Sequence, residues 1–118
     1  MYKKIMIVDD SKVSRMIIKK AIKEDCPEMI FVEAAGAEEA LDKLSVEEVE
    51  AAILDFHMPG MNGLELAEKI KALKPDMPIT MLTANIQEEF IQKAVELGIG
   101  YMSKPPKKDK LLTFLSNE

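Results

Sequence analysis

The chain has 118 residues, 47% of them hydrophobic and 31% charged, with a formal charge of −5. That size suits one domain with a single core, and an acidic balance without a long basic run argues against nucleic acid or an anionic membrane as the main partner. A single cysteine, Cys26, rules out an internal disulfide and a cysteine zinc site, and no apolar stretch is long enough to span a bilayer.

The apolar stretch Ile5-Met6-Ile7-Val8 is shorter than that of a signal peptide, so a reducing cytoplasm is the expected compartment. Residues 4–8 read as a first, central strand ending in Asp9-Asp10-Ser11. Ser11 suits the N-cap of a helix over 12–25, which Pro27 stops. Val13, Met16, Ile17, Ala21 and Ile22 are expected to form its buried stripe. A second strand is predicted over 29–34 and a short helix over 37–44, with Ala40, Leu41 and Leu44 inward. The run Ala51-Ala52-Ile53-Leu54 has the continuous apolar character of a strand buried on both faces. It ends in Asp55, and Met58-Pro59-Gly60 and Asn62-Gly63 break the chain after it.

An amphipathic helix is predicted over 64–73, then a fourth strand over 78–82, closing in Thr83-Ala84-Asn85. A helix over 87–97 should end at Gly98, a favourable residue just past a helix end. Residues 100–103 form the fifth strand, Lys104-Pro105-Pro106 follows, and a last helix runs over 108–115. The nine methionines suit irregular gaps in the core.

Strands and helices alternate five times, which implies an α/β fold: a five-stranded parallel sheet covered by helices on both faces. Right-handed crossovers favour doubly wound topology with strand order 2-1-3-4-5. The first and third strands are then neighbours, and Asp9, Asp10 and Asp55 converge where their carboxyl ends flank the switch point. Three clustered carboxylates repel one another unless a cation joins them, and Mg²⁺ suits few carboxylates, water and a phosphate oxygen. Thr83 and Lys104 end the fourth and fifth strands at the same rim, adding a hydroxyl and an ammonium. That set suits phosphoryl transfer onto an aspartate, which needs positioning and charge neutralisation above all.

Asp9-Asp10, Asp55 in LDFHMPGMNG, Thr83-Ala84 and Lys104-Pro105 together resemble the receiver domain of two-component response regulators, the CheY-like family. The resemblance covers essentially the whole chain. It implies Asp55 as phosphoacceptor, Asp10 as a direct Mg²⁺ ligand, Asp9 acting mainly through water, and the backbone carbonyl of His57 as a further ligand. It implies that Thr83, the amide of Ala84 and Lys104 hold the phosphoryl oxygens. Tyr101 matches the family's aromatic switch position, and the Lys104–Pro105 bond is often cis in such domains. Gly98-Ile99-Gly100-Tyr101 is about one residue short of the common pattern.

The resemblance implies a stand-alone receiver over residues 1–118 with no effector domain. It would take its phosphoryl group from a histidine kinase or a histidine phosphotransfer protein. It would assist its own transfer and hydrolysis without being a conventional enzyme. It would signal through a face made by the fourth helix, fifth strand and last helix, including parts of 86–97, Tyr101 and 107–115. Lys107 and Lys108 fall at a helix start, where the dipole disfavours cations, which suits an acidic partner. The alternative is an intermediate carrier in a multistep phosphorelay. An aspartyl-phosphate hydrolase would need a second acid where His57 stands, and a flavin carrier would need a Gly- and hydroxyl-rich loop where Asp9-Asp10-Ser11-Lys12 stands.

Overall fold

The computed structural model describes residues 2–84 and 87–116. Five strands, β1 (Lys4–Val8), β2 (Ile30–Ala34), β3 (Ala51–Asp55), β4 (Ile79–Thr83) and β5 (Gly100–Ser103), form one parallel sheet in the order β2-β1-β3-β4-β5. Five helices alternate with them: α1 (Lys12–Asp25), α2 (Ala37–Leu44), α3 (Gly63–Leu73), α4 (Glu88–Leu97) and α5 (Lys108–Ser116). The expected doubly wound fold and strand order are both observed. Among the described residues no helix is long and apolar enough to cross a membrane.

The sheet separates two apolar clusters. Met6, Val8, Ala52, Leu54, Ile79 and Met81 face α2, α3 and α4, while Ile5, Ile7, Ile53 and Leu82 face α1 and α5. Every residue of β3 and β4 is buried, as strands covered on both faces require. That places the carboxyl end of β3 in the middle of the molecule.

Strand ends differ from expectation by a residue or so. β2 begins at Ile30, and β4 begins at Ile79 after Pro78, whose carbonyl accepts from the Ala52 amide. α3 begins at Gly63 because Asn62 caps it: the Asn62 side chain accepts from the Glu65 amide, and Glu65 accepts in return from the Asn62 amide.

The buried stripe of α1 is a correction. Of the expected stripe, Ile22 is buried and Ala21 partly buried, but Val13, Met16 and Ile17 are more than half exposed, and Ile18 is buried in their place. The inward line of α1 includes Arg15, whose side chain is only 14% exposed. A guanidinium on the inner face turns the helix so that Val13, Met16, Ile17 and Lys20 form its outer side.

β2 is an outer strand, and α2 side chains occupy one of its free carbonyls and the amide just past its end. Lys43 Nζ donates to the Glu33 carbonyl, and Glu39 Oε1 accepts from the Ala35 amide at 2.9 Å. Glu39 and Lys43 also pair with each other at 3.0 Å, one turn apart.

Candidate functional site

The sheet ladder carries each rim residue to one place. Asp9 follows β1, and its amide donates to the Ala34 carbonyl at 3.1 Å. Asp55 ends β3, Thr83 ends β4, and the Lys104 amide donates to the Thr83 carbonyl at 3.0 Å. Asp9, Asp10 and Asp55 each bring a carboxylate oxygen within 4.8 Å of the others. Asp9 and Asp55 are buried, and Asp10 is exposed at the mouth.

Ser11 serves twice at this turn. Its amide donates to Asp9 Oδ1 at 2.9 Å, and its hydroxyl caps α1 by accepting from the Ser14 amide. Lys104 Nζ lies 3.3 Å from Asp9 Oδ2 and 3.1 Å from Asp55 Oδ1. It supplies charge to both oxygens, yet neither buried oxygen receives a well-aligned hydrogen bond from the described residues. Two buried, under-satisfied carboxylate oxygens beside a third carboxylate are a donor set for a hard divalent cation.

The electrostatics follow from burial. Burial raises the Asp55 pKa above the ordinary carboxylate value; contact with Lys104 opposes the rise and the Asp9 charge adds to it. Burial alone would lower the Lys104 pKa, but contact with Asp55 and Asp9 carries it above its usual value. The ammonium is therefore a fixed positive charge at neutral pH.

The remaining expected residues sit around this centre. Thr83 is fully buried and Ala84 is exposed. The His57 side chain is exposed. Lys104–Pro105 is cis. Tyr101 stands on β5 opposite Met81, so the shortened loop leaves it in the ladder. Tyr101 is 38% exposed, and its ring meets Phe90 of α4 edge-on at 5.8 Å. Of the proposed output surface, Ile86 lies outside the described residues, as does Asn85. Lys108 pairs with Asp25 of α1 at 3.2 Å, so its charge is met inside the chain.

Two features went unread in the sequence. Phe56, next to Asp55, packs edge-on against Phe90 at 5.2 Å, so an aromatic row runs from the acid rim to Tyr101. Gly63 was read as a turn residue, but a Cβ there would stand 2.3 Å from the Asp55 carbonyl oxygen and 2.9 Å from Phe56 Cα. The scarcity of aromatic residues and the Asn62-x-x-Glu65 spacing were the available signals.

An open parallel α/β sheet with three carboxylates and a lysine at its switch point defines a class of acid-rim, phosphate-handling domains. The response regulator receiver domain family matches residues 5–116, and the chain belongs to it. The chain is 39% identical to the chemotaxis protein CheY homolog of Campylobacter jejuni subsp. jejuni over 86% of this chain and 81% of that one. It is 29% identical to the sensory/regulatory protein RpfC of Xanthomonas campestris pv. campestris over 97% of this chain, but spans only 16% of that protein. A response regulator receiver protein from Pseudomonas putida superposes with a TM-score of 0.89 at 26% identity, covering 100% of this chain and 98% of that one. The chain is thus a receiver domain of two-component signalling, a family in which phosphorylation falls on an aspartate and Mg²⁺ binds an acidic pocket.

Proposed function

We propose that Asp55 is the phosphoacceptor and that this domain is a phosphorylation-driven protein-binding switch. One observation carries the assignment: Asp55 is buried at the end of the central strand, among the acids and 3.1 Å from Lys104. A carboxylate whose proton affinity is raised by burial is also a better nucleophile toward phosphorus. An Asp55 oxygen forms the new P–O bond while the P–N bond of a donor phosphohistidine breaks, and the departing imidazole nitrogen takes up a proton. Asp10 and Asp55, with Asp9 through water and the His57 carbonyl, would hold Mg²⁺, which when bound would supply neutralisation of charge on the phosphoryl oxygens. Lys104 and Thr83 hold those oxygens, with the Ala84 amide. The domain thus assists its own labelling and is not a conventional enzyme.

Donors are a histidine kinase or a histidine phosphotransfer protein. Output runs through α4, β5 and α5, where Tyr101, Met102, Ser103, Lys107 and Lys110 line a surface cavity of about 230 Å³. The alternative reading is an intermediate carrier in a multistep phosphorelay. Incubation with Mg²⁺ and acetyl phosphate should add one phosphoryl mass, and Asp55→Asn should abolish the addition. Unchanged labelling of that variant would remove Asp55 from the role.

A further inference from the structure

Arg15 stands behind the acid cluster and touches it through the main chain. Its Nη1 donates to the Asp9 carbonyl at 2.5 Å, and its Nε donates to Glu33 Oε1 at 3.0 Å. Lys19 Nζ takes the other Glu33 oxygen at 2.7 Å. One carboxylate thus braces two cations, and Arg15 is the more buried of them. The Asp9 residue is held on both sides: its amide by the Ala34 carbonyl and its carbonyl by Arg15. Asp10 is exposed, and among the described residues its carboxylate has no hydrogen-bond partner that would aim it. The peptide that precedes it is the nearest point at which its backbone is held. A planar trans peptide points its C=O and N–H in opposite directions, so fixing the Asp9 carbonyl fixes the Asp10 amide.

We propose that Arg15, braced by Glu33, is a positioning residue that sets the Asp9–Asp10 peptide and thereby aims the Asp10 carboxylate at a divalent cation. This rests on the Mg²⁺ reading of the acid cluster. Groups that orient metal ligands from behind contribute strongly to affinity although they never touch the ion. Charge makes the opposite demand. Removing a cation near a metal site should tighten metal binding. A weaker affinity after loss of Arg15 therefore reports geometry and not charge.

Calorimetric Mg²⁺ titration of the full chain separates the cases. Arg15→Met should raise the Mg²⁺ Kd by about tenfold, the low end for such supporting partners. Arg15→Lys, which can still reach the Asp9 carbonyl with one donor, should recover part of that loss. Glu33→Gln, which keeps an acceptor for Arg15 but loses a negative charge, should weaken binding less, and part of that weakening is the lost charge. Lys19→Met, which never contacts Asp9, should not weaken binding. Mg²⁺ affinity that is unchanged or tighter in Arg15→Met overturns the proposal, even if the variant melts lower, because Arg15 would then serve only the fold. If Arg15→Met does not fold, unchanged affinity in both Arg15→Lys and Glu33→Gln overturns it. Absence of Mg²⁺ binding by the wild type would instead overturn the reading of the acid cluster itself.

Discussion

Gly63→Ala tests how tightly the start of α3 is set against the phosphoacceptor strand. The new Cβ would stand 2.3 Å from the Asp55 carbonyl oxygen, 2.6 Å from Met81 Sδ and 2.9 Å from Phe56 Cα. Two of these three atoms are backbone and cannot rotate away. The Gly63 amide also donates to the Phe56 carbonyl at 2.9 Å, which pins the helix start in place. Overpacking of this kind costs up to about 3 kcal/mol, and alanine recovers at most about 1 kcal/mol over glycine in a helix. The net loss is about 2 kcal/mol, or about 8 °C in thermal midpoint for a domain of this size. Circular dichroism melting measures it. Gly36→Ala is the control, because a Cβ there meets nothing within 4 Å. The substitution should also slow acetyl phosphate labelling, since relief of the clash must move the Asp55 backbone. A Gly63→Ala midpoint equal to that of the control would refute the argument and show that α3 slides aside freely.

Three further outcomes follow from the site. Metal-free Asp55→Asn should melt above wild type at neutral pH. The folded Asp55 pKa lies above its unfolded value, so its charged form costs stability, and that cost declines as pH falls through the folded value and is gone only below the unfolded one. The gap between the two proteins should therefore close in acid; a lower midpoint for Asp55→Asn at neutral pH would mean that the Lys104 contact outweighs burial. Mg²⁺ at a hundred times its Kd should stabilise the wild type by about 2.7 kcal/mol, and Asp10→Ala should lose most of that gain. With a beryllofluoride mimic of the phosphoryl group, amide shifts in the wild type should reach Tyr101 and its neighbouring helices. In Thr83→Ala they should stay near the acids, and an identical far-reaching pattern would point instead to the row Phe56–Phe90–Tyr101.

The sheet was legible because β3 and, apart from Thr80, β4 are apolar and buried on both faces, and each ends at a polar residue that has to stay at the rim. Asp9, Asp55, Thr83 and Lys104 could be grouped from strand order alone, since parallel strands deliver all their carboxyl ends to one side. α1 was misread for a reason of composition. Its inward line contains Arg15, satisfied by a carbonyl 6 residues back and a carboxylate 18 residues on, and hydrophobic spacing cannot register a half-buried cation. Gly63 was passed over for a similar reason. A glycine after asparagine signals a turn, while its close approach to Asp55 depends on a strand that only the tertiary structure brings near.

The Glu39–Lys43 pair on α2 bears on how copies of this domain behave toward one another. An outer strand with free amides and carbonyls is a template for a strand from another chain. Here one side chain of the pair occupies the Ala35 amide and the other occupies the Glu33 carbonyl, so the ion pair works as a clasp over the open side of β2. The clasp depends on pH. The Ala35 amide, then Lys43, hold the Glu39 pKa below its ordinary value, so its contribution persists above the unfolded pKa and is lost as pH falls through the folded one. In strong acid the clasp opens from the Glu39 side, the Ala35 amide is released, and β2 becomes the margin at which one sheet can be extended by the next.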